Sequence, residues 1–215
     1  LPNVPQNLDY YFNYSNNILI KTAPILDIKA GLSELKYVKK IHIVALDNEV
    51  KELLWELEKG FLGKIIIQTV NIVKEDYSRF EFYMDDNIEN KAYSLPQKYL
   101  YEPNSAIMKS GGFEIISASY NVGKLHQHSH LYTSNEVKTF PGRTFEIENT
   151  FEYNKANMKQ FLVNENANIT IRNFPETVEA IRKKWKIKDG GRKYCFFKTN
   201  LNNIKTVLIC KKINI

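Results

Sequence analysis

Three short apolar runs limit what the first half of this chain can fold into: Ile18-Leu19-Ile20, Ile41-His42-Ile43-Val44-Ala45-Leu46 and Ile65-Ile66-Ile67-Gln68-Thr69-Val70. Runs this short and this rich in β-branched residues suit strands covered on both faces, as in an α/β sheet. Between the second and third lies Asp47 to Gly60, DNEVKELLWELEKG, in which Val50, Leu53, Leu54 and Leu57 recur at i, i+3, i+4 and i+7. That spacing is one helical stripe, with Asp47 or Asn48 placed to cap its start and Gly60 to end it. Leu32 to Tyr37 reads as an earlier short helix. Strand, helix, strand, helix, strand is the α/β order and predicts a partial parallel sheet. Arg79 to Met84, RFEFYM, alternates and predicts a closing antiparallel strand after the turn at Lys74-Glu75-Asp76.

Asp85 to Lys98 is rich in ionisable and turn-forming residues and reads as a loop. Asn104-Ser105 is placed to cap a helix that starts at Ala106-Ile107-Met108 and runs to Tyr120, although Gly111 and Gly112 each cost it about 1 kcal/mol relative to alanine. Pro141-Gly142 marks a boundary. A new pattern then begins: a strand over Phe145–Tyr153, a helix over Lys155–Val163, a strand over Ala167–Phe174, and a helix from Pro175 to Lys188. After a turn at Asp189-Gly190-Gly191 come strands at Lys193–Thr199 and Lys205–Lys211. This is a βαβαββ unit, with a predicted core of Phe145, Ile147, Ile169, Ile171, Val178, Ile181, Trp185, Phe197, Val207 and Ile209. The chain therefore divides into residues 1–98, a connecting helix and linker over 99–138, and a small α+β domain over 139–215.

No apolar run approaches the roughly 18 residues of a membrane span, and no signal peptide opens the sequence. Two cysteines, Cys195 and Cys210, are too few for a disulfide scaffold, so buried thiols and a cytoplasmic setting are expected. The chain starts Leu-Pro-Asn without an initiator Met and is expected to be part of something longer. Its charge is unevenly placed. Arg172 to Ile215 holds 12 Lys or Arg and 3 Asp or Glu, a net of +9, whereas the whole chain is +6. The basic character belongs to the C-terminal end.

Lys124 to Tyr132, KLHQHSHLY, holds three of the four histidines at alternating positions. In a strand, His126, His128 and His130 would share a face about 6.5 Å apart, so that two could chelate a zinc ion and the outer pair could not. The pair would need further ligands from elsewhere, because no Cys or Asp stands within five residues. The alternative is a polar connector whose histidines hydrogen-bond to hold neighbouring parts together.

The usual nucleotide-binding fingerprints are missing. No GxGxxG, no GxxxxGK[ST] and no GxSxG occurs, and the glycine pairs at 111–112 and 190–191 stand in other contexts. The longer segments carry a resemblance instead. ILIKTAPILDI at 18–28 and VKKIHIVALDNEVKELLWELE at 38–58 resemble the closing strands of a bacterial class I S-adenosylmethionine-dependent methyltransferase family. YLYEPNSAIMKSGGF at 99–113, KLHQHSHLYTS at 124–134 and FPETVEAIRKKWKIKDGGRKY at 174–194 are similar to that family's THUMP-like C-terminal domain and its lead-in. The resemblance implies a partial Rossmann-like sheet followed by a THUMP-like βαβαββ domain. It implies S-adenosylmethionine as cofactor of the full-length protein, with the glycine-rich loop and catalytic stretch in a missing N-terminal half. This chain alone then has no catalytic and no cofactor-binding residue. His126 and His130 match the family's pattern, and His128 falls in its variable pair.

The basic end is the candidate binding surface. On the helix expected over 175–188, Glu176 and Glu179 stand first and Arg182, Lys183, Lys184, Lys186 and Lys188 last, which complements the helix dipole. Arg172, Arg192 and Lys193 extend the same sign onto neighbouring strands. A contiguous basic face is the footprint of a polyanion, and the THUMP-like resemblance implies RNA. The competing readings are a nucleic-acid-binding protein without a catalytic role and a metal-dependent hydrolase using the histidines at 126, 128 and 130.

Overall fold

The structure, a computed structural model, describes residues 3–88 and 92–214. Of the loop expected over Asp85–Lys98, residues 89–91 lie outside the described part. The chain forms two compact units. One comprises the residues up to Asn87 together with Asn104–Ile115, and the other Ile88–Pro103 together with the residues from Ile116 onward. The architecture is mixed α/β, with one sheet in each unit.

The first unit begins with a helical turn, α1 (Leu8–Tyr11), followed by β1 (Asn17–Thr22), α2 (Ile28–Glu34), β2 (Val38–Leu46), β3 (Glu49–Glu58), β4 (Ile66–Val73) and β5 (Asp76–Tyr83). The sheet order is β1-β3-β2-β4-β5. Strands β1 and β2 are each antiparallel to β3 and are therefore parallel to one another, joined by α2 as a βαβ crossover. Strand β4 adds parallel to β2, and β5 returns antiparallel as expected. The helix expected over Asp47–Gly60 is instead β3. Asp47 and Asn48 both have positive φ, 49° and 62°, the conformation of a two-residue type I′ hairpin turn. Leu53, Trp55 and Leu57 then alternate inward and are fully buried. A helix built on Val50, Leu53, Leu54 and Leu57 would have turned Trp55 to water. The strand buries the indole together with Leu53 and Leu57, and the Trp55 Nε1–H finds the Thr22 hydroxyl at 2.9 Å. Gly31 on α2 leaves the room that the ring fills, since a Cβ there would collide with it.

Chain continues as β6 (Tyr99–Pro103), α3 (Ser105–Ser110) and α4 (Phe113–Tyr120). The single helix expected to Tyr120 is two, because Gly111 closes α3 in a left-handed conformation with φ 75°. Asn104 caps α3 as anticipated, accepting the Ile107 N–H at 3.0 Å. Helix α3 packs on β2, β3 and β4, and its first N–H, from Ser105, is taken by the turn residue Asn48 at 2.7 Å.

The second unit holds β6, β7 (Gly123–Lys124), β8 (Tyr132–Ser134), β9 (Gly142–Glu152), α5 (Lys155–Phe161), β10 (Asn166–Arg172), α6 (Val178–Trp185), β11 (Lys188–Thr199) and β12 (Lys205–Ile213). Its sheet order is β10-β11-β12-β9-β6-β8-β7, with β10 and β11 parallel and the remaining pairs antiparallel. From β9 onward this is the expected βαβαββ order. Helix α6 is shorter than the expected Pro175–Lys188. Thr177 caps it by accepting the Ala180 N–H at 3.2 Å, and Lys186 ends it in a left-handed conformation.

The expected core of this unit divides between the two faces of the sheet. Phe151, Met158, Leu162, Ile181, Trp185, Cys195, Phe197, Val207 and Ile209 form one cluster with α5 and α6. Leu100, Leu125, Leu131, Phe145, Phe196, Leu208 and Cys210 form the other. Period-two alternation along β11 sends Cys195 and Phe197 to the first and Phe196 to the second. The two thiols are free, buried and on opposite faces. Burial pushes the Cys195 thiol up to about 12, so neither chemistry nor pairing is offered there.

Candidate nucleic-acid interface

Helix α5 starts where Asn154 accepts the Asn157 N–H at 2.9 Å, and this cap fixes the direction in which Lys155 and Lys159, one turn apart, project. Helix α6 contributes Lys184 and Trp185, and Lys186 leaves its C-terminal end. Between them lies a cleft of about 560 Å³ whose wall includes Lys155, Lys159, Lys184, Lys186, Tyr153 and Trp185 and no carboxylate. Tyr153 organises the aromatic part. Its hydroxyl receives the Trp185 Nε1–H at 2.9 Å and the Lys184 ammonium at 3.2 Å, and donates to Glu176 at 3.0 Å. The Lys184 ammonium also lies 5.2 Å and 5.4 Å from the Tyr153 and Trp185 ring centroids. Its hydrogen bond to Tyr153, helped by that to Glu176, holds its pKa above the ordinary lysine value. Lys184 is therefore a fixed charge. Lys155, Lys159 and Lys186 are exposed and have no ion-pair partner among the described residues, so three unpaired cations stand in the cleft wall.

The eight basic residues singled out from the sequence meet different fates. Lys184 and Lys186 reach the cleft. Lys183, Lys188 and Arg192 are exposed and carry no ion pair among the described residues. Arg182 is engaged by Asp189 at 2.5 Å and by the Ala167 carbonyl at 3.1 Å, and Lys193 by Glu165 at 2.8 Å. Arg172 turns to the other face of the sheet, where Nη2 meets Glu102 at 2.6 Å. The single contiguous basic face expected from the sequence is thus divided between two faces and partly neutralised. Lys155 and Lys159 were missed because they lie outside the C-terminal charge run. Their signal is an i, i+4 lysine pair directly after a capping Asn.

The histidines do not form a strand face. Residues 127–129 are a turn, and His126 Nδ1 accepts the His128 main-chain N–H at 3.1 Å. His126 is buried, whereas His128 is exposed beside Gln127. Among the described residues no group of three His, Cys, Asp or Glu is placed to hold a metal ion. Nor is any helix of the described residues long and apolar enough to cross a membrane.

Known proteins bear on both units. Residues 142–212 match the family described as THUMP domain-like. Residues 99–141 match a ferredoxin-like domain family. Over 98% of its length the chain is similar to the crystal structure of a candidate methyltransferase from Porphyromonas gingivalis W83, with 32% identity and a TM-score of 0.89. It spans 54% of that protein's chain. No curated protein matches it significantly.

Proposed function

We propose that this chain is the substrate-binding C-terminal part of an S-adenosylmethionine-dependent methyltransferase acting on RNA, and that the cleft between α5 and α6 receives the nucleic acid. The observation that carries this reading is a cleft walled by Lys155, Lys159 and Lys186, each without an ion pair among the described residues, with Lys184 beside them paired to Glu176. Lysines meet phosphates through charge, and the half-buried Tyr153 offers an aromatic edge to an unpaired base, whereas Trp185 is 8% exposed and belongs to the core. The THUMP-like match and the methyltransferase similarity support the same reading. The glycine-rich loop for S-adenosylmethionine belongs, on this reading, to a part of the protein outside this chain, and the turn that follows β1, Ala23-Pro24-Ile25-Leu26-Asp27, has no glycine to stand in for it.

The test is the salt dependence of binding to a structured RNA. Each phosphate contact contributes a slope of about −0.7 to −0.9 in log K against log salt. Replacing Lys155, Lys159 and Lys186 together by Gln is expected to reduce the slope by two to three contacts' worth. An unchanged slope would remove the cleft from the interface.

A further inference from the structure

On the face of the second sheet opposite α5 and α6, a second group of cations is left unused by the lysine cleft. Arg172 and Lys198 are register partners on the parallel strands β10 and β11, so their side chains leave the same face side by side. The Lys198 side chain is fully buried, and its ammonium has no hydrogen-bond partner among the described residues. The Arg172 Nε is likewise buried without a partner, although its Nη2 is held by Glu102 at 2.6 Å. The Glu102 carboxylate is shared, since Arg143 donates to it through Nε at 2.7 Å.

Asn173, next along the chain, brings Nδ2 to 3.3 Å from His126 Nδ1. That nitrogen already accepts the His128 N–H, which leaves the imidazole proton on Nε2, free to donate. Burial, and then the charges of His128, Lys198 and Lys124, hold the His126 pKa below its ordinary value. The ring is therefore a neutral donor among cations.

A buried ammonium without an acceptor is costly, and a fold that keeps one beside an incompletely paired guanidinium lacks an anion. The donors on offer suit a tetrahedral oxyanion: a compact point charge, an arginine with an unused N–H, and an imidazole N–H. We propose that Lys198 and Arg172, with His126 and Asn173 at the rim, form a binding site for a phosphoryl group. The Arg172 side chain is 32% exposed, so solvent reaches part of its guanidinium, while its Nε and the Lys198 ammonium are themselves shielded. The site lies on the other face of the sheet from the lysine cleft and stands independently of the nucleic-acid reading.

The experiment is calorimetric titration of the full chain with inorganic phosphate, against chloride at equal ionic strength. Wild type is expected to bind phosphate, and Lys198→Met, which keeps the length of the side chain, to bind it roughly tenfold or more weakly. Glu102→Gln leaves Lys198 in place and releases Arg172 from its carboxylate, so it is expected to bind phosphate more tightly. Absence of phosphate binding by wild type, or equal affinity in wild type and Lys198→Met, overturns the site. Competition by a 5′-phosphorylated oligonucleotide, where its 5′-hydroxyl counterpart fails, assigns the phosphoryl group to a nucleic-acid end. Competition by neither assigns it to free phosphate.

Discussion

Arg172 and Lys198 stand side by side on β10 and β11, yet only Arg172 has a carboxylate, and that carboxylate, Glu102, lies 70 residues away in sequence. The unequal treatment of two neighbouring cations has a measurable pH signature. Burial pushes the Lys198 ammonium down to about 8 from its ordinary 10.5. Between these values the unfolded chain binds more protons than the folded one, so stability rises with pH. In phosphate-free buffer, the wild type is expected to gain on the order of 3 kcal/mol between pH 8 and 10.5 relative to Lys198→Met. Urea unfolding of both proteins across that window checks the sign. A parallel pH dependence in the two would place a counter-charge beside Lys198.

Glu102 holds two guanidiniums while being only 5% exposed. Glu102→Gln leaves both arginines without their charge partner. Breaking a fully buried pair costs about 3–5 kcal/mol, but Arg143 and Arg172 are each more than 30% exposed and water screens them. A loss of about 2 kcal/mol is expected in denaturant unfolding. A loss below 0.5 kcal/mol would make this a surface pair in energetic terms.

Trp55 is fully buried on β3, with its indole N–H on Thr22. Trp55→Ala is expected to cost about 3–5 kcal/mol, measured by chemical denaturation. On the solvent side of a helix, the same change would stay within about 0.5 kcal/mol. The size of the loss thus separates the hairpin from the helical alternative.

Paired and unpaired lysines near the cleft should behave differently toward RNA. Lys193 is neutralised by Glu165, whereas Lys186 has no ion pair among the described residues. Lys186→Gln is expected to reduce the salt slope by about one contact, and Lys193→Gln to leave it unchanged. Equal effects would show that net charge, not the cleft, governs binding.

S-adenosylmethionine is expected not to bind this chain in a calorimetric titration, because no residues in it form a glycine-rich cofactor loop. Micromolar binding would place a cofactor pocket among residues that carry no recognisable fingerprint for one.

Local order was legible in the sequence wherever a local interaction settles it. The apolar runs at 18–20, 41–46 and 65–70 lie in or overlap β1, β2 and β4, Asn104 caps its helix, and the βαβαββ order from β9 to β12 follows from alternation and turn residues. Each of these depends on neighbours within a few positions. Two matters were decided only by the tertiary structure. In Asp47–Gly60 the helical and alternating patterns coexist in the same letters, and the choice fell to a site beside Gly31 and Thr22 that could bury Trp55. Charge counting found the basic C-terminal end but could not tell which cations remain unpaired. Neutralisation acts over a few ångströms between residues as distant in sequence as Glu102 and Arg172, and strand alternation sends neighbouring cations to opposite faces. The sequence therefore set the sign of the surface, and only the fold decided where an anion could meet it.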